Sequence, residues 1–222
     1  MVKIYFVRHS QSEGNKTRTI LGSIDCDITA DGVKQLEYLN DRFKDIKIDA
    51  VYSSPLLRAK KTALAAVYGK GLTLITDDDF AEMHVGNDEG KPFFEVFKKG
   101  SVAEDVWLNR FHEYAPENGE TIKGVYERVV RGLKKIAQNP ENEGKTLLVA
   151  SHGIATRCLI CYLLYNNIEK IGQVDWANNT AVSLIVYDNG EFKALYLNDD
   201  SHIPEDFMSA ESRSVTKMWT EE

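Results

Sequence analysis

The chain has little that would place it in a membrane, a disulfide scaffold or a nucleic-acid complex. No run of about 18 apolar residues occurs, so no membrane-spanning helix is expected. The N-terminal stretch MVKIYFVRHS has a lysine and then a short apolar run. That is too brief for a signal-peptide core, and no small-residue cleavage site follows. There are only three cysteines, an odd number that argues against a disulfide framework; the cytoplasm is the simplest expected location. Basic residues are outnumbered, 27 against 34 acidic, giving a net charge of −7. Such a chain lacks the broad basic footprint that phosphate backbones require, so no nucleic-acid partner is expected. A small basic pocket for one phosphate group remains compatible with that charge. HExxH, a Walker loop and GxGxxG are all missing, and neither a metal nor an organic cofactor is expected. No repeat or low-complexity linker divides the 222 residues, which predicts one domain over 1–222.

What is present is a regular alternation of short apolar runs and helical periodicity. Hydrophobic residues make up 43% and charged residues 27%, ordinary globular usage at a length that supports a core. Residues 3–7 (KIYFV) read as a buried strand, and the polar 8–15 (RHSQSEGN) as the loop after it. Residues 29–43 read as a helix capped by Thr29 or Asp31, with Val33, Leu36, Leu39 and Phe43 on one stripe. A second strand covers 50–53, Pro55 opens a helix over 56–68, and a third strand covers 72–76. Residues 77–118 are irregular, with helical pieces near 93–98 and 102–114. Helix 121–139 carries the stripe Ile122, Val125, Val129, Leu133 and Ile136. A fourth strand at 145–150 ends in Ser151-His152-Gly153, and an apolar helix spans 154–164. Residues 180–187 and 192–197 form a hairpin on Asn189-Gly190, and the polar tail from 199 is expected to be loosely ordered. Strands alternating with helices predict an α/β fold with a largely parallel sheet. Ligands of such sheets bind beyond the carboxyl ends of the strands. Three polar segments lie at strand ends: Arg8-His9, Ser53-Ser54 leading to Arg58, and His152-Gly153.

Two arginines supply fixed charge and planar donor forks that match phosphate oxygens. Two histidines supply nitrogens that act as nucleophile, donor or base near neutral pH. Without a metal-ligand pattern, that set points to phosphoryl transfer through a phosphohistidine. The stretch Arg8-His9-Ser10-Gln11-Ser12-Glu13-Gly14-Asn15 resembles the Arg-His-Gly signature of the histidine phosphatase superfamily, the phosphoglycerate mutase-like family. The likeness continues in order through Ile28-Thr29-Ala30-Asp31-Gly32, Ser53-Ser54-Pro55-Leu56-Leu57-Arg58, Glu82 with Gly86 and Glu89-Gly90, Asn118-Gly119-Glu120-Thr121, and Ser151-His152-Gly153.

The resemblance implies a three-layer α/β/α fold with a small helical cap insertion at about 77–118. It implies that His9 is the nucleophile, that Arg8, Arg58 and His152 surround the phosphoryl oxygens, and that Glu82 is the proton donor. Asn15 and Ser12 would be further phosphate-pocket donors, with Gly153 beside them. Positive charge from Arg8 and Arg58 would keep the His9 imidazole neutral. Ser10 stands where the family most often has glycine; it would carry strain only if its φ were positive.

Other residues carry two readings. His84, two residues after Glu82, is a candidate substrate contact or an exposed loop histidine. His112 and His202 read as surface residues. Cys158 and Cys161, one helical turn apart, read as small core residues rather than as a redox pair. Phe93, Phe94, Phe97, Trp107 and Phe111 divide between a substrate lid and ordinary packing. Residues 77–90 hold no lysine or arginine, which favours the phosphatase version of the family over a mutase that must hold a bisphosphate. The expected activity is metal-independent hydrolysis of a small phosphorylated metabolite by a monomer or homodimer. The alternatives are a phosphoglycerate mutase and a weakly active phosphate-ligand-binding protein.

Overall fold

The computed structural model describes residues 1–207. Six strands form one sheet: β1 (Val2–Arg8), β2 (Ala50–Ser53), β3 (Leu74–Thr76), β4 (Thr146–Ser151), β5 (Val182–Asp188) and β6 (Glu191–Asp199). Their order across the sheet is β3-β2-β4-β1-β5-β6. Pairings β3–β2, β2–β4 and β4–β1 are parallel, while β5 is antiparallel to both β1 and β6. Only β5 therefore runs against the common direction, and the fold is the mostly parallel α/β arrangement that the alternation predicts.

The period of two along each strand decides the layers. Val2, Ile4 and Phe6 of β1, with Leu147 and Val149 of β4, face one side. Helices α6 (Ile122–Ala137) and α7 (Gly153–Tyr165) cover that side. Val7, Leu148 and Ala150 face the other, under α2 (Ala30–Phe43) and α3 (Leu57–Ala66). Each fully buried large aliphatic or aromatic side chain in these layers stabilises the fold by roughly 1.5–3 kcal/mol. The predicted stripe of α6 is wholly buried, and Thr121 caps the helix by accepting from the Gly124 amide at 3.0 Å. The hairpin turns on Asn189 (φ 48°) and Gly190 (φ 87°), the paired positive dihedrals a two-residue hairpin turn needs.

Several expectations are corrected. In α2 the buried residues are Gly32, Gln35, Leu39 and Phe43, while Val33 is 47% exposed. The first turn of α2 packs against the loop after β1 rather than against the sheet. A Cβ on Gly32 would lie 2.2 Å from the Gln11 carbonyl, and the Gln11 amide donates to Gln35 Oε1 at 2.7 Å. That loop also contains a one-turn helix, α1 (Glu13–Thr17), where the sequence predicts none. The piece expected over 102–114 is α5 (Val102–Asn109); Arg110, at φ −135°, ends it before a single 3-10 turn at Phe111–Glu113. The piece expected at 93–98 is α4 (Phe93–Val96). The segment 199–207 is anchored at points rather than loose throughout: Ile203 is buried and the Gln35 side-chain amide donates to the Phe207 carbonyl, while Ser201 and 204–206 are exposed. The rest of the predicted tail lies outside the described residues. His202, expected at the surface, is half-buried. Burial and the neighbouring Arg42 guanidinium pull its pKa down to about 4. Cys158 and Cys161 are buried free thiols. Among the described residues no helix is long and apolar enough to cross a membrane.

Candidate active site

The parallel register explains why distant residues meet. Arg8 pairs with Ser151 across β1 and β4, and Ser53 pairs with Ala150 across β2 and β4. One residue further on, His9, Ser54 and His152 emerge together at the carboxyl edge, with the two imidazole centroids 5.1 Å apart. Because β5 is antiparallel, its start also lies at this edge. The Asn179 side chain donates to the His9 carbonyl at 2.9 Å, and the Thr180 amide donates to the Arg8 carbonyl at 3.1 Å. Thr180 does so at φ 60°, a strained conformation for a β-branched residue.

The His9 ring is held in one tautomer. Its Nδ1 lies 2.6 Å from the Ser10 carbonyl, which only accepts, so Nδ1 carries the proton and Nε2 keeps a lone pair. Burial, then Arg58, then Arg8 hold the His9 pKa well below 6.5. Ser10 is not among the residues with positive φ, so serine there carries no backbone strain; its amide donates to Thr62 Oγ1 at 3.0 Å. His152 Nε2 lies 2.7 Å from Ser54 Oγ. Its Nδ1 is buried without a hydrogen-bond partner among the described residues. Burial, Arg58 and His9 lower the His152 pKa as well.

Arg58, 2% exposed, donates to the carbonyls of Gly22 and Ile24, each at 2.9 Å. Gly22 is at φ 53°, and a Cβ there would meet Glu89 Oε1 at 2.5 Å. Glu89 in turn accepts from Ser23 and so braces the loop that holds Arg58. Arg8 donates to the Ala177 carbonyl at 2.5 Å. The Glu82 carboxylate sits at the start of α7, accepting from the amides of Met83 (2.9 Å), Ile154 (3.2 Å) and Ala155 (3.4 Å). Arg128 of α6 fixes the Glu82 segment from behind. It donates to the carbonyls of Asp79, Ala81 and Glu82 and grips the Glu120 carboxylate through Nε and Nη2. Glu120 also accepts from the His84 amide.

These groups open on a cleft of about 180 Å³. Arg8, His9, Ser12, Asn15, Arg58, Glu82 and Gly153 line its inner end. Asn15 Oδ1 accepts from the amide and hydroxyl of Ser12, which orients the two together. His152, expected beside the phosphoryl oxygens, is fully buried and is not in the lining; its ring lies next to that of His9. His84 is not in the lining; its ring is half exposed and 3.9 Å from Glu89. The outer end is apolar, with Ile20, Leu21, Met83, Phe93, Trp107 and Trp176. The cap aromatics divide accordingly: Phe97 and Phe111 are buried, and Phe94 is 64% exposed. Arg157, sandwiched between Phe111 and Trp176 at 4.7 and 4.5 Å, supports that wall; burial lowers its pKa to about 10. Among the described residues no group of three or more His, Cys, Asp or Glu side chains is placed to hold a metal ion.

Arg18, Ser54, Arg128, Trp176 and Asn179 are site or support residues that the sequence reading did not assign a role. The run Asn178-Asn179-Thr180 was a usable signal, being polar and immediately before a strand. Its meaning depended on that strand being antiparallel.

The model for the histidine phosphatase superfamily (branch 1) matches residues 4–200. Phosphoserine phosphatase 1 of Hydrogenobacter thermophilus is 30% identical over 210 residues, covering 95% of this chain and 98% of that protein. The 2,3-bisphosphoglycerate-dependent phosphoglycerate mutase of Methanococcus vannielii is 27% identical, covering 89% of this chain and 96% of its own. The solved structure of Bacillus stearothermophilus YhfR superposes with a TM-score of 0.85 at 27% identity, covering 91% of this chain and 99% of that one.

Proposed function

The chain belongs to the histidine phosphatase superfamily (branch 1), and on that premise we propose that it hydrolyses a small phosphomonoester through a phosphohistidine on His9. The observation that carries this reading is the neutral, oriented His9 ring, with Nε2 available at the inner end of a cleft lined by Arg8 and Arg58. Nε2 attacks phosphorus and the ester P–O bond breaks. Glu82 supplies the proton taken up by the departing oxygen and is left as a carboxylate. Water then attacks the phosphoryl group, Glu82 takes its proton, the P–N bond breaks and phosphate leaves. Arg8 and Arg58 offset the charge on the phosphoryl oxygens throughout. His152, fully buried and outside the cleft lining, keeps its Nε2 against the Ser54 hydroxyl and is proposed to support the His9 ring rather than to touch the phosphoryl oxygens.

The reaction is proposed to need no metal ion, and the cytoplasm is the proposed compartment. The mutase reading is second. The M. vannielii relative favours it, while the shortage of cationic side chains at the outer end of the cleft favours hydrolysis. The test is phosphate release from a panel of phosphomonoesters with EDTA present, wild type against His9→Ala. Release by wild type alone is expected. Equal release by His9→Ala rules out the phosphohistidine route. No release without a bisphosphate primer, but isomerisation with one, makes the protein a mutase.

A further inference from the structure

The outer half of the cleft has one charged side chain in its lining, Arg18, among the apolar surfaces of Ile20, Leu21, Phe93, Trp107 and Trp176. Arg18 is exposed, and among the described residues its guanidinium has no hydrogen bond or ion pair. Most other arginines near the site are committed to partners: Arg58 to two carbonyls, Arg128 to three carbonyls and Glu120, and Arg157 to Val174 and two rings. Arg18 also occupies an unfavourable backbone position. It caps α1 at φ 53°, in the left-handed region where glycine or asparagine is the usual choice and other residues cost about 1–2 kcal/mol. The position is held from both sides. The Arg18 carbonyl accepts from the Phe93 amide at 2.9 Å, the Ile20 amide donates to the Lys91 carbonyl at 2.9 Å, and Thr19 bridges Pro92. Thus residues 18–20 are tied to the cap, and arginine sits at a residue whose backbone suits glycine better.

Building on the phosphatase reading, we propose that Arg18 is a specificity residue that receives an anionic group, a carboxylate, on the leaving group of the substrate. The phosphoryl end occupies the Arg8, His9 and Arg58 pocket. The body of the leaving group lies against the apolar wall, and its carboxylate pairs with the Arg18 guanidinium. The planar fork of arginine suits a carboxylate in two-point contact. The substrate class is therefore the phosphate ester of a small hydroxy acid, rather than a polyhydroxylated sugar phosphate, whose hydroxyls the apolar wall would leave without partners.

The experiment uses ω-carboxyalkyl phosphates and alkyl phosphates of matched chain length. Their binding to full-length His9→Ala protein, which holds but does not turn over the ester, is measured by calorimetry. Their kcat/KM is measured with wild type. Both comparisons are repeated with Arg18→Ala and Arg18→Lys. The expected result is a preference for the carboxylate ester that falls by about 10- to 100-fold on Arg18→Ala, the range for a hydrogen bond to a charged group. Arg18→Lys restores part of it, and the preference weakens as salt is raised. Arg18→Gly is expected to lose the preference while folding at least as stably, since φ 53° suits it. An equal carboxylate preference with and without Arg18 overturns the proposal, as does the absence of any preference in the His9→Ala background. Preference in binding with no hydrolysis by wild type supports Arg18 and sinks the phosphatase reading instead.

Discussion

At His9 the two ring nitrogens have separate work. Nδ1 is tied to the Ser10 carbonyl, and Nε2 is kept unprotonated by burial and two guanidinium groups. The nucleophile therefore stays neutral below the ordinary histidine range, and the acid limb of kcat/KM is expected below pH 6.5. A limb centred at or above pH 6.5 that disappears in no other variant would contradict the depressed His9 pKa. Glu82 is argued by its place, a carboxylate gathered by three amides at the start of α7. Glu82→Gln is expected to slow alkyl phosphates by about 10²–10⁴-fold and activated aryl phosphates much less. Equal losses on the two ester types would remove its role as acid. Arg8, His9, Arg58 and His152 were legible as candidates because they stand in or just after polar segments at strand ends, whereas Glu82 was reached only through the family resemblance. Of the two readings of His84, the structure favours the exposed loop histidine. Two residues after Glu82 the chain turns so that its ring meets Glu89 instead of the cleft.

At the scale of elements, the site is held by helices packed from behind. α6 was legible from its period, yet its most consequential residue for the site is polar. Arg128 reaches the carbonyls of Asp79, Ala81 and Glu82, and with Glu120 it clamps both ends of the segment that carries Glu82. Arg128→Ala is expected to lower kcat more than it raises KM, and to do so most on poor leaving groups. In the background of Glu82→Gln the same change is expected to cost little further, because the two act through one group. Full additivity in that cycle, measured with alkyl phosphates, would make Arg128 a stability residue only. α2 shows the same division of labour. Its period predicted an apolar stripe beginning at Val33, but its first turn bears on the loop after β1. Gln35 rather than a hydrophobe is buried there, bonded to the Gln11 amide.

For the whole molecule, pH acts through histidines that the fold buries. His9 and His152 have depressed pKa values, and His202 is pulled down to about 4. In the unfolded chain each returns to about 6.5. Above that pH neither state binds the extra proton and these rings add no pH dependence. As pH falls below about 6.5, the unfolded chain takes protons that the folded one refuses. Stability is then lost, by at most about 1.4 kcal/mol per pH unit for each ring. Urea unfolding at pH 7.5 and 5.5 should show that loss, and His9→Ala should reduce it. A wild-type stability unchanged over that interval would refute the assignment of these rings as neutral in the fold. The same global packing sets the cap: Phe97 and Phe111 disappear into the core, Phe93 and Trp107 reach the cleft, and Phe94 faces outward. All of them read alike in the sequence.

The sequence by itself determined the strands, the alternation with helices, and which side chains were chemically equipped for phosphoryl transfer. Those follow from local periodicity and from motif chemistry carried in short segments. Only the tertiary structure decided which residues surround them. The register of β2, β4 and β1 sets His9 beside His152, and the reversed direction of β5 brings Asn179 and Thr180 to the same edge. Arg128 and Gln35 acquire their roles from contacts with residues 49 and 172 positions away, and Arg18 from its place in the cleft lining. No local pattern encodes such distances, because burial and pairing are settled by packing of the whole chain.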